Sequence, residues 1–572
     1  MKRPALIAAL GALGFLALPA SGALAATGAH AAGVTASPVT SGHAVRLAHA
    51  ATLAGLPTVK SALRGPEQMI PDLSPGESSS AAGATSAPTA SASMSITRSP
   101  AAASGVSLVH NLNGLSDLGS DNLNGFPVTP PDQGLCVGTD QTLKGNPKAV
   151  WEAINLAARE TSPSGTLLRK DVNLNTLFQD PFAEGDPRCL FDPATQSFYF
   201  TEIGFPPGGP NATDTNTTLD VTVMNARGVA AYQFDTSLGG TCLGDQPKTG
   251  FDNNALIVST DQFCGPTLSD FEGAIVLAAS KPQLTAEAAT VNDAVLGPIS
   301  QQGIPVLGAD PAIGTGGTGY LVNSVPFQAD GSNNPVGHNL GLWTLTNDSS
   351  VTTGNGSPVL TGRVLSSEPY AFPVADQSTG DGSTTVVGGR VITSEKRIDE
   401  GDSRLSGPVN VSRSADGGIV LSTALTAALT PQGDSATRDG AAWFQIDPAR
   451  QRIVNQGFVA AKGAYLVYPA LQALPNGPAA MTFGITSATI NPSAAFTTLG
   501  SGTITIAGLG AGPHLSFSDA PPFNRARWGD YSFAAPDPDG TGIWLATEYI
   551  PPAASQDAQD NWGTRVFEVS GK

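Results

Sequence analysis

From about Val106 onward, short apolar or alternating runs recur between clusters of Gly, Pro, Asn and Asp. Phe198-Tyr199-Phe200, Ala255 to Val258, Gly319 to Val322, Trp443 to Ile446 and Ile543 to Ala546 are such runs. Their length and the turn residues that bound them predict strands. No stretch keeps helical periodicity over several turns, and only the region from Pro282 to Val291 predicts one short helix.

The runs are organised in a repeat. Each copy opens on an Asp beside Gly, Pro or Ala, continues through a short apolar segment and a turn, and reaches a strong apolar strand. The copies start at Asp132, Asp186, Asp245, Asp310 and Asp402, then at Tyr468, where Tyr replaces Asp, and at Asp530. Subtraction gives steps of 54, 59, 65, 92, 66 and 62 residues. A second apolar strand follows in most copies, as at Gly341 to Leu345 and Ala442 to Ile446, which implies about four strands per copy. The 92-residue step has room for an eighth copy, but insertions around Phe327 to Gly337 and Gln377 to Ser383 account for it. Repeated antiparallel units of this size favour radial closure, which shields sheet edges. Tandem sandwiches need roughly 100 residues per unit. The expected fold is therefore all-β, a seven-bladed β-propeller over 106–572, with six or eight blades as alternatives.

The segment before the repeat reads differently. Lys2 and Arg3, the apolar stretch Ala5 to Leu18 and the small residues Ala23-Leu24-Ala25 have the order of a secretory signal peptide over 1–25. Residues 26–105 are dominated by Ala, Ser, Thr, Gly and Pro and are expected to form a disordered linker. No later stretch is long and apolar enough to span a bilayer. A secreted, extracellular and monomeric protein is the expectation. The chain holds 47 Asp and Glu against 29 Lys and Arg, which argues against nucleic acid as a partner. Four cysteines in an exported chain read as two disulfides. Three pairings exist. The repeat register favours Cys136–Cys189, which would join the starts of adjacent copies, and Cys242–Cys264, which would close one hairpin.

Several segments resemble a group of exported bacterial β-propeller proteins of unestablished catalysis. They are Thr129-Pro130-Pro131-Asp132, Gly185-Asp186-Pro187-Arg188, Asp245-Gln246-Pro247-Lys248, Gly401-Asp402-Ser403-Arg404, Tyr468-Pro469-Ala470 and Arg527-Trp528-Gly529-Asp530-Tyr531-Ser532. A looser resemblance is to sialidase-like propellers. It implies an arginine cluster (Arg188, Arg404, Arg527) and a channel-facing Tyr468, but no S-x-D-x-G-x-x-W box is present.

The copies place Asp132, Asp186, Asp245, Asp310, Asp402 and Asp530 around the mouth of a central channel. Clustered carboxylates repel. A cation such as Ca²⁺ could neutralise them, as could Arg188, Lys248, Arg404 and Arg527. Alternatively, each Asp caps backbone N–H groups and pins its copy. A His- or Cys-based metal site has no motif here, and neither does a Ser-His-Asp triad, since His110, His338 and His514 stand outside the repeat. Trp528, Tyr531, Trp544, Tyr549 and Trp562 cluster in the last copy and read as blade core or as a sugar-stacking surface. The leading expectation is a binding module that engages a glycan, peptide or cell-envelope partner at the channel face. The alternative is an extracellular glycoside hydrolase that uses two carboxylates there.

Overall fold

The computed structural model describes residues 34–36, 38–62, 68–69, 87–90, 92–97, 106–126, 128–205, 217–265, 268, 270–301, 303–325, 336–374, 376–387, 390–474, 478–517, 527–552 and 560–571. The chain divides into two compact units, 1–32 and 33–572. The first, with the expected signal peptide, lies outside the described residues. Among the described residues no helix is long and apolar enough to cross a membrane.

The fold is all-β and propeller-like. Among the described residues, strands pair into seven four-stranded antiparallel meanders. Unit 1 starts at Gly134–Thr139, unit 2 at Ala183–Asp192, unit 3 at Cys242–Phe251 and unit 4 at Asp310–Ile313. Units 5 to 7 start at Val409–Arg413, Tyr465–Ala473 and Phe533–Pro536. These first strands touch one another in chain order, and the seventh touches the first. Two of the contacts are parallel backbone pairings, Phe251 with Ile313 and Ala312 with Val409. Units 4 and 5 are also bridged farther out, at Ala371 and Ala428, so six of their strands close on themselves.

Both faces of each sheet are covered by neighbours, which explains the near-continuous apolar runs. Every residue of Ser197–Gly204 and of Ala255–Cys264 is buried. Aromatic rings interlock between units: Trp151 meets Phe200 edge-on at 5.2 Å, and Phe496 meets Phe567 at 5.5 Å. The expected turns form as read. Asp252 Oδ1 accepts the backbone N–H groups of Asn254 and Ala255 at 2.7 and 2.8 Å. Both disulfides have the favoured pairing, Cys136–Cys189 and Cys242–Cys264. The last unit is composite. Its first three strands come from the end of the chain, and its fourth is Val106–Ser116, paired antiparallel with Gly563–Gly571.

Three features depart from the sequence reading. The expected linker contains strands. Val34–Ala36 pairs with the outer strand of unit 4. Pro38–Ala50 pairs with the outer strands of units 3 and 2 in turn, and Ser95–Thr97 pairs with that of unit 6. Of the 13 residues in Pro38–Ala50, only Ala44 is buried, so this strap is held mainly through its backbone. Composition reports side-chain burial and is blind to that. The 92-residue step holds a lobe rather than a further four-stranded unit among the described residues. Asp376–Gln377 pairs there with Arg397–Ile398, and Thr384–Val387 with Arg390–Ser394, which continues onto Leu515–Ser516. The one expected helix is the single turn Lys281–Thr285, and further short helices form at Asp117–Asn124 and Leu174–Phe178.

Candidate functional site at the ring axis

The first strands carry a shared kink. Strand pairing slips at one point in three hairpins: between Gly185 and Arg188, between Asp245 and Lys248, and between Val467 and Ala470. The skipped residues are Asp186-Pro187, Gln246-Pro247 and Tyr468-Pro469. The first of each pair is left-handed, with φ of 56°, 47° and 50°. Asp132, just before unit 1, has φ 44°. A residue before Pro is already barred from the right-handed helical region, and the bulge turns its side chain out of the sheet alternation. Asp186 therefore corresponds to Gln246 and Tyr468, and Asp245 stands one residue earlier than the repeat suggested.

These kinks, the turn before unit 7 and the end of the 376–407 lobe bring most of the expected residues together. Asp132 Oδ1 accepts the N–H of Asp530 at 2.8 Å, and its Oδ2 accepts Asn155 Nδ2 at 2.7 Å. Asn155 Oδ1 accepts the N–H of Asp186 at 2.9 Å, so one amide ties the first two units together. Gln246 Nε2 donates to Asp530 Oδ2 at 3.2 Å. Arg527 reaches Asp530 Oδ2 at 3.4 Å and Asp399 Oδ2 at 3.5 Å. Arg404 pairs with Asp402 at 2.7 Å and with Asp261 at 3.6 Å. Lys248 Nζ donates to Leu405 O at 3.1 Å and faces Asp310 at 3.5 Å. The Arg188 guanidinium lies over the Tyr531 ring, 3.6 Å from its centroid. The Tyr468 ring packs so closely on Gly401 (φ 66°) that a Cβ there would lie 2.8 Å from it. Asp245 is buried and pairs in register with Asp261.

Burial acts strongly on this set. It pushes Asp132 up to about 7, helped by Asp186 and opposed by Arg527. It pushes Asp186 up to about 6 against Arg188, and Asp310 up to about 7 against Lys248. Burial also raises Asp261 and Tyr531. Behind Asp530, Glu548 Oε2 accepts the N–H of Gly529 at 2.7 Å and is itself raised by burial. Of the ten residues expected at the face, Asp402 and Asp530 are half-buried and the other eight are buried. They border a dimple of about 20 Å³, lined also by Gln246, Lys248, Arg404, Ser406 and Tyr468.

The remaining expectations fall elsewhere. Trp528, Tyr531, Trp544, Tyr549 and Trp562 are all buried, so the last unit offers no exposed aromatic platform through them. Ser516 Oγ and His514 Nε2 both converge on Asp560, at 3.3 and 2.9 Å. Among the described residues no group of three His, Cys, Asp or Glu side chains is placed to hold a metal ion. Sequence reasoning missed Asn155, Asp261, Asp399, Gln246 and Glu548. The X-Pro step that recurs at 186, 246 and 468 would have found Gln246. Tyr531 stood inside a quoted segment and was read only as blade core or sugar platform.

No family model matches the chain, and no curated protein matches it either. Solved structures overlap it partially. A GH43_1 enzyme from Xanthomonas citri has 12% identity over 57% of this chain and 86% of its own, with a TM-score of 0.27. A Trypanosoma rangeli sialidase in complex with the inhibitor DANA has 10% identity over 67% and 54%, with a TM-score of 0.27. The parainfluenza virus 5 hemagglutinin-neuraminidase ectodomain has 11% identity over 66% and 79%, also with a TM-score of 0.27. Overlaps this loose carry no argument for fold or activity, so the fold rests on the strand pairing.

Proposed function

We propose that this chain is an exported, monomeric, seven-bladed propeller that binds a hydroxyl-rich partner, a glycan of the cell envelope or surroundings, at the mouth of its axis. The observation that carries this reading is the pair of carboxylates that edges the dimple at the mouth. Asp402 and Asp530 border the shallow dimple with side chains 8% and 11% exposed, while Arg188, Lys248, Arg404 and Arg527 are committed to carboxylates, carbonyls or a ring. Two carboxylates held rigidly by their cations present acceptors to sugar hydroxyls. The acidic balance of the chain disfavours nucleic acid. A dimple of this size is far below the roughly 300 Å³ of an enclosed ligand site, which supports binding over hydrolysis.

Asp402→Asn and Asp530→Asn are expected to lower affinity for envelope glycans at least tenfold on an array or by calorimetry, in variants whose circular dichroism matches the parent. Unchanged binding in both variants would remove the mouth as the site. The hydrolase alternative draws on the elevated carboxyls of Asp132 and Asp186. It requires turnover of a polysaccharide that Asp132→Asn abolishes.

A further inference from the structure

The lobe between units 4 and 5 reaches the axis through its far end. Asp399 accepts Arg527, Arg404 spans to Asp261 of unit 3, and the Leu405 carbonyl accepts Lys248. The Ser406 carbonyl accepts the N–H of Ser532. The far end of the lobe therefore borders the mouth and forms part of the dimple. Its near end is anchored differently. Asp376, on the strand that pairs with Arg397–Ile398, is fully buried beside Asp439, on the third strand of unit 5. Asp439 Oδ1 accepts the N–H of Val374 at 2.8 Å. Asp439 Oδ2 and both Asp376 oxygens are buried without a hydrogen-bond donor.

Three undonated carboxylate oxygens in a fully buried contact between two elements are not tolerable as two anions. A proton held between the two carboxyls supplies the missing donor and removes one charge. We propose that Asp376 and Asp439 form a proton-dependent latch that fastens the lobe beside the axial mouth, so that the lobe is closed in acid and loosened at neutral to alkaline pH.

The surroundings set the direction. Glu400 from the lobe adds negative charge to Asp376, and Arg438 opposes it. Arg438 is committed to Asp434 at 2.6 Å and lies over the Tyr465 ring at 5.0 Å. Burial, then the partner carboxyl, hold Asp376 well above the usual carboxylate range, and burial pushes Asp439 up to about 7. A carboxyl raised in the folded state contributes stability that is complete below its unfolded value near 4 and declines as pH rises through its folded value. The latch thus weakens from about pH 4 to beyond 7. Ile398 packs in one cluster with Val467, Tyr468, Trp528 and Ile550, so lobe movement is felt by Trp528.

The latch regulates the mouth assigned above as a binding site, but its test does not depend on any ligand. Hydrogen exchange of the full chain, corrected for intrinsic rates, is compared at pH 5 and pH 8, with Trp528 quenching by iodide alongside. Amides of 376–377 and 390–406 are expected to exchange at least tenfold faster at pH 8, while those of unit 2 change little. Asp376→Asn supplies a permanent donor to Asp439 and is expected to keep pH 5 protection at pH 8. Asp439→Asn, which retains an acceptor for Val374, is expected to do the same should Asp376→Asn fold poorly. Equal lobe protection at both pH values in the parent would overturn the latch. So would a parent-like pH response in a folded Asn variant. Loss of glycan binding with the latch response intact would count only against the binding reading.

Discussion

Asn155 has one short side chain and three partners. It donates to Asp132 Oδ2 and to Pro130 O, both within 2.8 Å, and accepts from the Asp186 backbone. All three partners are buried, so Asn155→Ala leaves them undonated or unaccepted at once. The expected cost is about 1–3 kcal/mol, read as a lower urea midpoint with an unchanged m-value. Nothing in the sequence marks this residue, because it lies in the turn after a strand and does not repeat. The left-handed residues were half legible. Asp186 and Tyr468 were found through the repeat, but the eye followed Asp, and so paired Asp186 with Asp245 instead of Gln246. The backbone requirement before Pro, rather than the carboxylate, is what recurs.

At the scale of elements, strands such as Ser197–Gly204 and Ala255–Cys264 were legible because they are buried on both faces and bounded by turn residues that cap their own loops. The strap was not, because its side chains face solvent. Val39, Val45 and Leu47 are among the most exposed large apolar residues of the described chain. Its hold comes from backbone pairing, Ala44 and a few polar clasps: His49 to Glu287, and Arg46 to the Glu287 carbonyl. Ala44→Arg puts a charge at the one buried position. It is expected to cost about 1–3 kcal/mol and to raise amide exchange at 229–232 and 290–296, whose pairing edges the strap covers. Unchanged exchange there would mean that the strap does not protect these edges.

For the whole molecule, the balance of buried carboxyls fixes a pH trend. Asp132, Asp186 and Asp310 are all raised, to about 7, 6 and 7. Their contribution to stability is complete below about pH 4 and is lost as pH rises through 6 to 7. Groups shifted the other way do not compensate. Asp416, held down at about 2 by Ser414, contributes above pH 4 and is constant across this window. Melting temperature is therefore expected to fall from pH 5 to pH 8. Asp132→Asn with Asp310→Asn should flatten that slope, and a slope unchanged by both would assign it to general charge repulsion. The all-β, propeller-like repeat was legible from its spaced starts, whereas the lobe beside the mouth was legible only as an over-long step.

The composite last unit bears on how such a chain reaches its final state. Arg565 meets Asn113 across 452 positions. The entropic cost of closing so large a loop grows only with the logarithm of its length, yet contacts this distant are slow to form. Val106–Ser116 has no partner in its unit until Gly563–Gly571 is available to it. Completion of the last unit therefore waits on a strand that lies more than 400 positions away from its partner along the chain.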